Sequence, residues 1–78
     1  MEFNPTHSLD DRGKRCPIPV LDTKKKMDTL QKGDVLEVLA TDPGAEPDLT
    51  AWAKRTGNEY LGHVKEGEVL RVYIKKGK

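Results

Sequence analysis

The chain has 78 residues, and its 14 basic and 13 acidic side chains leave a net charge of +1. A chain this short builds one domain with a modest core, and its single cysteine excludes an internal disulfide scaffold. The near-neutral charge gives no global indication of direct nucleic-acid binding, and the longest mostly apolar stretch, 35–40, is too short to span a bilayer.

Residues 1–6 are predicted to form a flexible N-terminus, and residues 7–78 a single domain. The first residues lack the apolar run of a signal peptide, so we expect a cytoplasmic protein. A short strand is predicted over 7–11, where Leu9 is the one strongly apolar residue. Gly13 then allows the backbone to turn.

The first helix is predicted over 17–30, and Gly33 is placed for a left-handed cap beyond its end. An apolar stripe at helical spacing indicates the side that faces the core, while charged residues lie towards water. The stripe comprises Val20, Leu21, Met27 and Leu30, and the water-facing residues are Asp22, Lys25 and Lys26.

A strand is predicted over 35–40, and because it is apolar on both faces apart from Glu37, we expect a central position in the sheet. A turn at 41–44 leads into a second helix over 46–56, which Gly57 ends. The residues at helical spacing in this helix are Ala45, Leu49, Trp52, Ala53 and Thr56.

Two further strands are predicted over 59–65 and 68–75, joined through Glu66 and Gly67. The predicted order is therefore β-α-β-α-β-β. A four-stranded mixed sheet with both helices packed on one face would bury the apolar residues. This fold class is an α/β two-layer sandwich of the α+β type.

Cys16 stands where the first helix is about to begin, between Arg15 and Pro17. The positive end of a helix lowers the pKa of a thiol, from about 8.5 to between about 3.5 and 7.5. Pro17 and Pro19 suit the first helical turn and hold its start rigid. We interpret Cys16 as a nucleophile rather than a small buried apolar residue, because Lys14 beside Arg15 indicates an exposed, electropositive setting. Gly13 would supply the turn.

The lysines cluster in three places: beside Cys16, at 24–26, and at the end of the chain. These clusters are either solvated faces or a docking surface for an acidic partner, in which Lys24 and Lys25 are the candidate partner-binding residues. His7 and His63 match no metal-ligand spacing with Cys16, so no metal and no cofactor is expected. His7 is close enough in sequence to be a candidate for tuning the thiol.

The chain resembles the TusA/SirA-like sulfur carrier proteins over residues 8–77, nearly its whole length. The signature of that family, Cys-Pro-X-Pro opening the first helix, is here Cys16-Pro17-Ile18-Pro19. It is preceded by Leu9-Asp10 and Gly13 and followed by Val20-Leu21 and Lys24-Lys25. A second set of matching residues comprises Gly33-Asp34, Thr41-Asp42-Pro43-Gly44, Asp48, Trp52, Gly57-Asn58-Glu59 and Ile74-Lys75-Lys76-Gly77.

The resemblance implies that Cys16 accepts sulfane sulfur as a persulfide and passes it to a partner protein in a relay. The implied donor is a cysteine desulfurase or a rhodanese-type sulfurtransferase, and the implied acceptor is of the DsrE/DsrF type. The relay would serve 2-thiolation of transfer RNA or dissimilatory sulfur oxidation, with supply of sulfur to the molybdenum cofactor a further option. Such a protein acts as a covalent carrier within the relay rather than as a turnover enzyme alone.

Two residues depart from the family pattern. Lys14 replaces an apolar residue, most often Leu, and Ala53 stands where several relatives have a second cysteine.

Two other functions stay open. They are a binding or regulatory module of the same fold and a redox-sensing thiol protein. Nothing in the sequence requires an oligomer, so we expect a monomer without membrane contact.

Overall fold

The computed structural model describes residues 5–15 and 17–77 and confirms the predicted order of elements. Cys16 lies outside the described residues. The elements are β1 (His7–Asp11), α1 (Ile18–Met27), β2 (Val35–Ala40), α2 (Ala45–Thr56), β3 (Glu59–Glu66) and β4 (Val69–Lys75).

In the described part of the chain, the strands form one four-stranded sheet in the order β1-β2-β4-β3. β1 runs parallel to β2, and the other two pairings are antiparallel. β2 is therefore an interior strand, as its apolar sequence predicts. Both helices cover one face of the sheet, where the buried cluster comprises Met27, Leu30, Leu36, Val38, Ala40, Ala45, Leu49, Trp52, Ala53, Val72 and Ile74.

The parallel pairing of β1 with β2 decides which loops come together. Its register places Asp11, the last residue of β1, beside Ala40, the last residue of β2. The carboxyl ends of parallel strands lie at the same edge of a sheet. The turn between β1 and α1 therefore lies beside the loop that leads from β2 into α2.

The predicted apolar stripe of α1 is wrong at Leu21, which is 48% exposed. Of the residues predicted to face water, Asp22 and Lys26 are half-buried. The residues that α1 buries are instead Pro19, Thr23 and Met27, spaced four apart. Because the helix has only ten residues, its few apolar residues constrain its rotation weakly.

The predicted end of α1 is also wrong, because the helix ends at Met27 rather than at residue 30. The Lys76 ammonium donates hydrogen bonds to the carbonyls of Met27 and Leu30, at 2.8 Å each. A side chain that follows β4 thus adds a charged donor to the Met27 carbonyl, which also accepts the Leu30 amide at 3.0 Å, and to the Leu30 carbonyl beyond the helix end. Gly33, with a φ of 95°, lies in the following turn rather than at the helix end, whereas Gly57 caps α2 as predicted.

The start of the described chain is held at Thr6. Its amide donates to the carbonyl of Val35 at 2.9 Å, and its hydroxyl contacts both the amide and the carbonyl of the same residue. Thr6 therefore extends the edge of the sheet, although it falls in the range predicted to be flexible. No helix within 5–15 and 17–77 has the length and apolar character needed to cross a membrane.

Replacing Lys76 with Met should lower the free energy of unfolding by about 1–2 kcal/mol, because two helix-end carbonyls lose their charged donor. Lys75→Met is the matched control, since Lys75 is exposed and its loss should change stability by less than about 0.5 kcal/mol. Urea unfolding followed by circular dichroism measures both. Equal stability of the two variants would contradict this capping role.

Candidate functional site: the turn between β1 and α1

The candidate site is the segment that joins β1 to α1, in which Cys16 is the one undescribed residue. Arg15 and Pro17 bracket it in sequence. The Ile18 amide donates to the carbonyl of Arg15 at 2.8 Å, so that the residues on either side of Cys16 are hydrogen-bonded together. Pro17 is the cap residue of α1, and Pro19 is fully buried beneath it.

The start of α1 carries no compensating negative charge. Its first turn contains no acidic residue, and none of the described side chains caps it. In contrast, the first turn of α2 contains Glu46 and Asp48. The positive end of the α1 dipole is therefore left uncompensated locally, which favours an anion next to it.

The backbone amides that follow Cys16 are not free to bind that anion directly. The amide of Ile18 donates to Arg15, Pro19 has no N–H group, and the amide of Val20 donates to the carbonyl of Pro17 at 3.1 Å. Stabilisation of an anion by these residues must therefore come from the field of the helix and from nearby cations.

The turn between β1 and α1 is hydrogen-bonded to the loop between β2 and α2. Gly13, with a φ of 82°, donates its amide to the hydroxyl of Thr41 at 2.9 Å. Lys14 and Arg15 are exposed and line a shallow, open recess of about 550 Å³ with this loop. The recess is bounded by Gly13, Lys14, Arg15, Thr41, Asp42 and Pro43. Of the predicted supporting residues, Gly13, Lys14 and Arg15 thus belong to this turn, whereas Pro17 caps α1 and Pro19 lies in its first turn.

Lys24 and Lys25 lie at the other end of α1, in its last turn. At 1.5 Å per residue, they are about 10 Å along the helix from Pro17. The Lys24 ammonium forms an ion pair with Asp28 at 3.2 Å. Cations at the C-terminal end of a helix complement its dipole, so the dipole alone accounts for lysines in the last turn of α1. Their part in partner binding stays a prediction.

Neither histidine lies in this turn. His7 is at the opposite end of β1, where its Nδ1 is 3.0 Å from the hydroxyl of Thr6 and 4.0 Å from the Asp34 carboxylate. His63 is exposed on β3, and its Nδ1 is 2.8 Å from the Tyr60 hydroxyl. These positions disfavour His7 as a residue that tunes the Cys16 thiol.

Sequence reasoning missed a buried acid beneath the turn. Asp11 is only 2% exposed, and its Oδ2 atom has no hydrogen-bond partner among the described residues. Burial, reinforced by Asp22, raises the pKa of Asp11 to about 6, while the positive charge of Lys14 acts in the opposite direction. The available signal was the alternation of β1, because Asp11 shares the inward parity of Leu9, which packs against the core.

Two exposed apolar side chains were also missed. Ile18 is 39% exposed and Leu21 is 48% exposed, and they are three residues apart on α1. Side chains at this spacing are neighbours on a helix surface. An apolar patch, defined by Ile18 and Leu21, therefore lies directly beside the turn and next to its exposed cations.

Comparison with known proteins matches nearly the whole chain. The model of the family described as sulfurtransferase TusA matches residues 7–76. The chain is 46% identical to the sulfur carrier protein TusA of Allochromatium vinosum over 68 residues, which are 87% of this chain and 90% of that protein. It is 55% identical over 69 residues to YrkF of Bacillus subtilis, named a candidate sulfur carrier, but spans only 37% of YrkF.

A solved structure has the same fold. The SirA-like protein of Desulfitobacterium hafniense superimposes with a TM-score of 0.73 at 32% sequence identity. The match covers 92% of this chain and 99% of that one. The arrangement of sheet and helices around the turn is therefore shared with a protein of similar size.

Asp11→Asn should stabilise the protein at neutral pH, by up to about 3 kcal/mol at pH 7. The pKa of Asp11 is higher in the folded state, about 6, than its usual value of 3.8, so the folded state binds the proton more tightly. Stability of the native protein should therefore fall as pH rises from about 4 through 6, and the variant should lack this decline. Urea unfolding at a series of pH values measures both; a parallel decline in the variant would contradict the assignment to Asp11.

Proposed function

Since the chain belongs to the sulfurtransferase TusA family, we propose that Cys16 accepts sulfane sulfur as a persulfide and passes it to a partner protein. A sulfur carrier role is what the relatives' names support. The proposal that Cys16 carries the persulfide rests on its place in the sequence. Cys16 comes immediately before a helix start that lacks acidic residues, and it follows the exposed cations Lys14 and Arg15.

The chemistry is nucleophilic displacement at sulfur. The Cys16 thiolate attacks the outer sulfur of a donor persulfide, a new S–S bond forms at Sγ, and the donor's S–S bond breaks. The electron pair of the broken bond leaves with the donor thiolate, so that no external oxidant or reductant is consumed. Attack and departure are both favoured when the thiol has a pKa near ambient pH, which the helix field and Lys14 and Arg15 would promote.

Release of the sulfur requires a second protein. Cys16 is the only cysteine of the 78 residues, so an internal disulfide cannot resolve its persulfide. An acceptor thiolate must attack the outer sulfur, and the Cys16 thiolate then leaves. This is the behaviour of a relay carrier rather than of a self-contained redox enzyme.

The partner surface we propose is the apolar patch of Ile18 and Leu21 with its basic rim. Lys14 and Arg15 lie at one end of it, and Lys25 follows Leu21 by one helical turn. Such a surface complements a partner with an apolar centre and acidic edges. We infer a cysteine desulfurase or a rhodanese-type sulfurtransferase as donor and a DsrE/DsrF-like protein as acceptor, in tRNA 2-thiolation or sulfur oxidation.

Intact-mass spectrometry tests the carrier directly. After incubation with a cysteine desulfurase and cysteine, or with a rhodanese and thiosulfate, the protein should gain one sulfur atom that a thiol reductant removes. Cys16→Ser should gain none, while its circular dichroism spectrum stays that of the native fold. Absence of the gain with both donors, despite a titratable free thiol, would favour a regulatory or redox-sensing module instead.

The partner surface is tested by Leu21→Asp, which places a negative charge in the apolar patch. Loading by a protein donor should slow about tenfold, equivalent to about 1.4 kcal/mol, because the patch no longer matches an acidic-rimmed partner. Loading by inorganic polysulfide should not change, since it needs no docking. Val64→Asp is the matched control, because Val64 is 38% exposed and lies on β3, away from the turn. Equal slowing by both variants, or slowing with polysulfide too, would refute the docking role.

A further inference from the structure

The edge of the sheet opposite the turn between β1 and α1 holds three separate segments of the chain together. β2 begins at this edge, and β4 ends there. The Gly33 amide donates to the carbonyl of Lys76 at 2.9 Å. The Gly77 amide donates to Oδ1 of Asn58 at 3.0 Å. The loop after α1, the end of β4 and the segment between α2 and β3 therefore form one hydrogen-bonded surface.

Lysines from three parts of the chain gather at this edge. They come from the last turn of α1, from the loop that follows it and from the end of β4. We call this surface the basic edge, and its cations are Lys24, Lys25, Lys26, Lys32, Lys75 and Lys76. The acids that the same segments and the start of β3 contribute are Asp28, Asp34 and Glu59. The basic edge is therefore positively charged, although the whole chain carries only +1.

Two of these acids have partners within the basic edge itself. Asp28 forms its ion pair with Lys24 at 3.2 Å, and the Asp34 carboxylate accepts the amide of Gln31 at 2.9 Å. Glu59 is exposed and is the acid that remains to oppose the other lysines. The contacts among the described residues therefore leave most of the positive charge of the basic edge uncompensated.

Lys32 and Lys75 are the cations that the fold itself does not explain. Both are exposed, and neither forms an ion pair within the described part of the chain. Neither lies in the last turn of a helix, so the helix dipole does not account for them as it does for the lysines of α1. They line an open recess of about 450 Å³, where Gly33 and Gly77 present backbone without side chains.

We propose that the basic edge is a docking surface for a protein partner that presents a cluster of carboxylates. One carboxylate of the partner enters the recess lined by Lys32 and Lys75, and its neighbours face the remaining lysines. Binding relieves the repulsion among the ammonium groups, because each gains an opposite charge nearby. This surface goes beyond the proposed function, since it requires neither Cys16 nor sulfur transfer.

The make-up of the basic edge favours a protein over a nucleic acid. Its cations are all lysines, and its residues include no aromatic side chain on which a base would stack. The basic edge is more positive than the whole chain, so the rest of the molecule carries a net negative charge. A long polyphosphate chain that runs past the edge would be repelled there, whereas an acidic patch of limited size would not.

The basic edge is separate from the apolar patch of Ile18 and Leu21. The patch lies near the start of α1, and the ten residues of the helix span about 15 Å. Lys25 lies between the two surfaces, because it follows Leu21 by one helical turn. Lys32 and Lys75 belong to the basic edge alone, so they are the residues to replace in a test.

The experiment titrates the isotope-labelled full chain with a short polyglutamate peptide and follows its amide resonances by NMR. The resonances of Lys32, Gly33 and Gly77 should shift, and the same titration gives the dissociation constant. Lys32→Gln and Lys75→Gln should each weaken binding about threefold, because each removes one charge contact. Glu59→Gln should strengthen binding by a similar factor, because it removes the acid that lines the recess.

Lys65→Gln and Glu68→Gln are the matched controls. They make the same charge changes at the other end of the β3–β4 pair, and both positions are exposed. Neither should change the dissociation constant. Equal effects of the control and basic-edge variants would show attraction to net charge alone and would overturn the proposal.

Two further outcomes would also overturn it. One is a shift pattern centred on the turn between β1 and α1 instead of on the basic edge. The other is tighter binding of a short RNA duplex than of polyglutamate at the same salt concentration, which would assign the surface to a nucleic acid. None of these measurements involves Cys16, so a failure of sulfur loading would leave their result unchanged.

Discussion

The parallel pairing of β1 with β2 is the constraint on which the rest of the site depends. It requires a crossover through α1, which returns the chain from one edge strand to the centre of the sheet. With Asp11 in register with Ala40, the start of α1, the turn before it and the loop after β2 must lie at one edge. The Gly13–Thr41 hydrogen bond then joins the two loops. A small fold without a deep cleft thereby obtains one well-defined edge for chemistry.

The electrostatics of this edge combine opposing contributions. The uncompensated start of α1 and the exposed Lys14 and Arg15 favour an anion, as sulfur transfer through a thiolate requires. Asp11, which is buried at the end of β1, would disfavour it when ionised, and burial raises the pKa of Asp11 to about 6.

Most of the fold follows from residue patterns, because β2 is apolar on both faces and α2 has apolar residues at helical spacing. The sheet position of β2 and the buried residues Ala45, Leu49, Trp52 and Ala53 of α2 were predictable for that reason. α1 was not, since a short helix with prolines at its start has few apolar residues to fix its rotation, and its end depends on Lys76, which follows β4. The motif that marks Cys16 is local, whereas the exposure of Leu21 and the burial of Asp11 are set by tertiary packing.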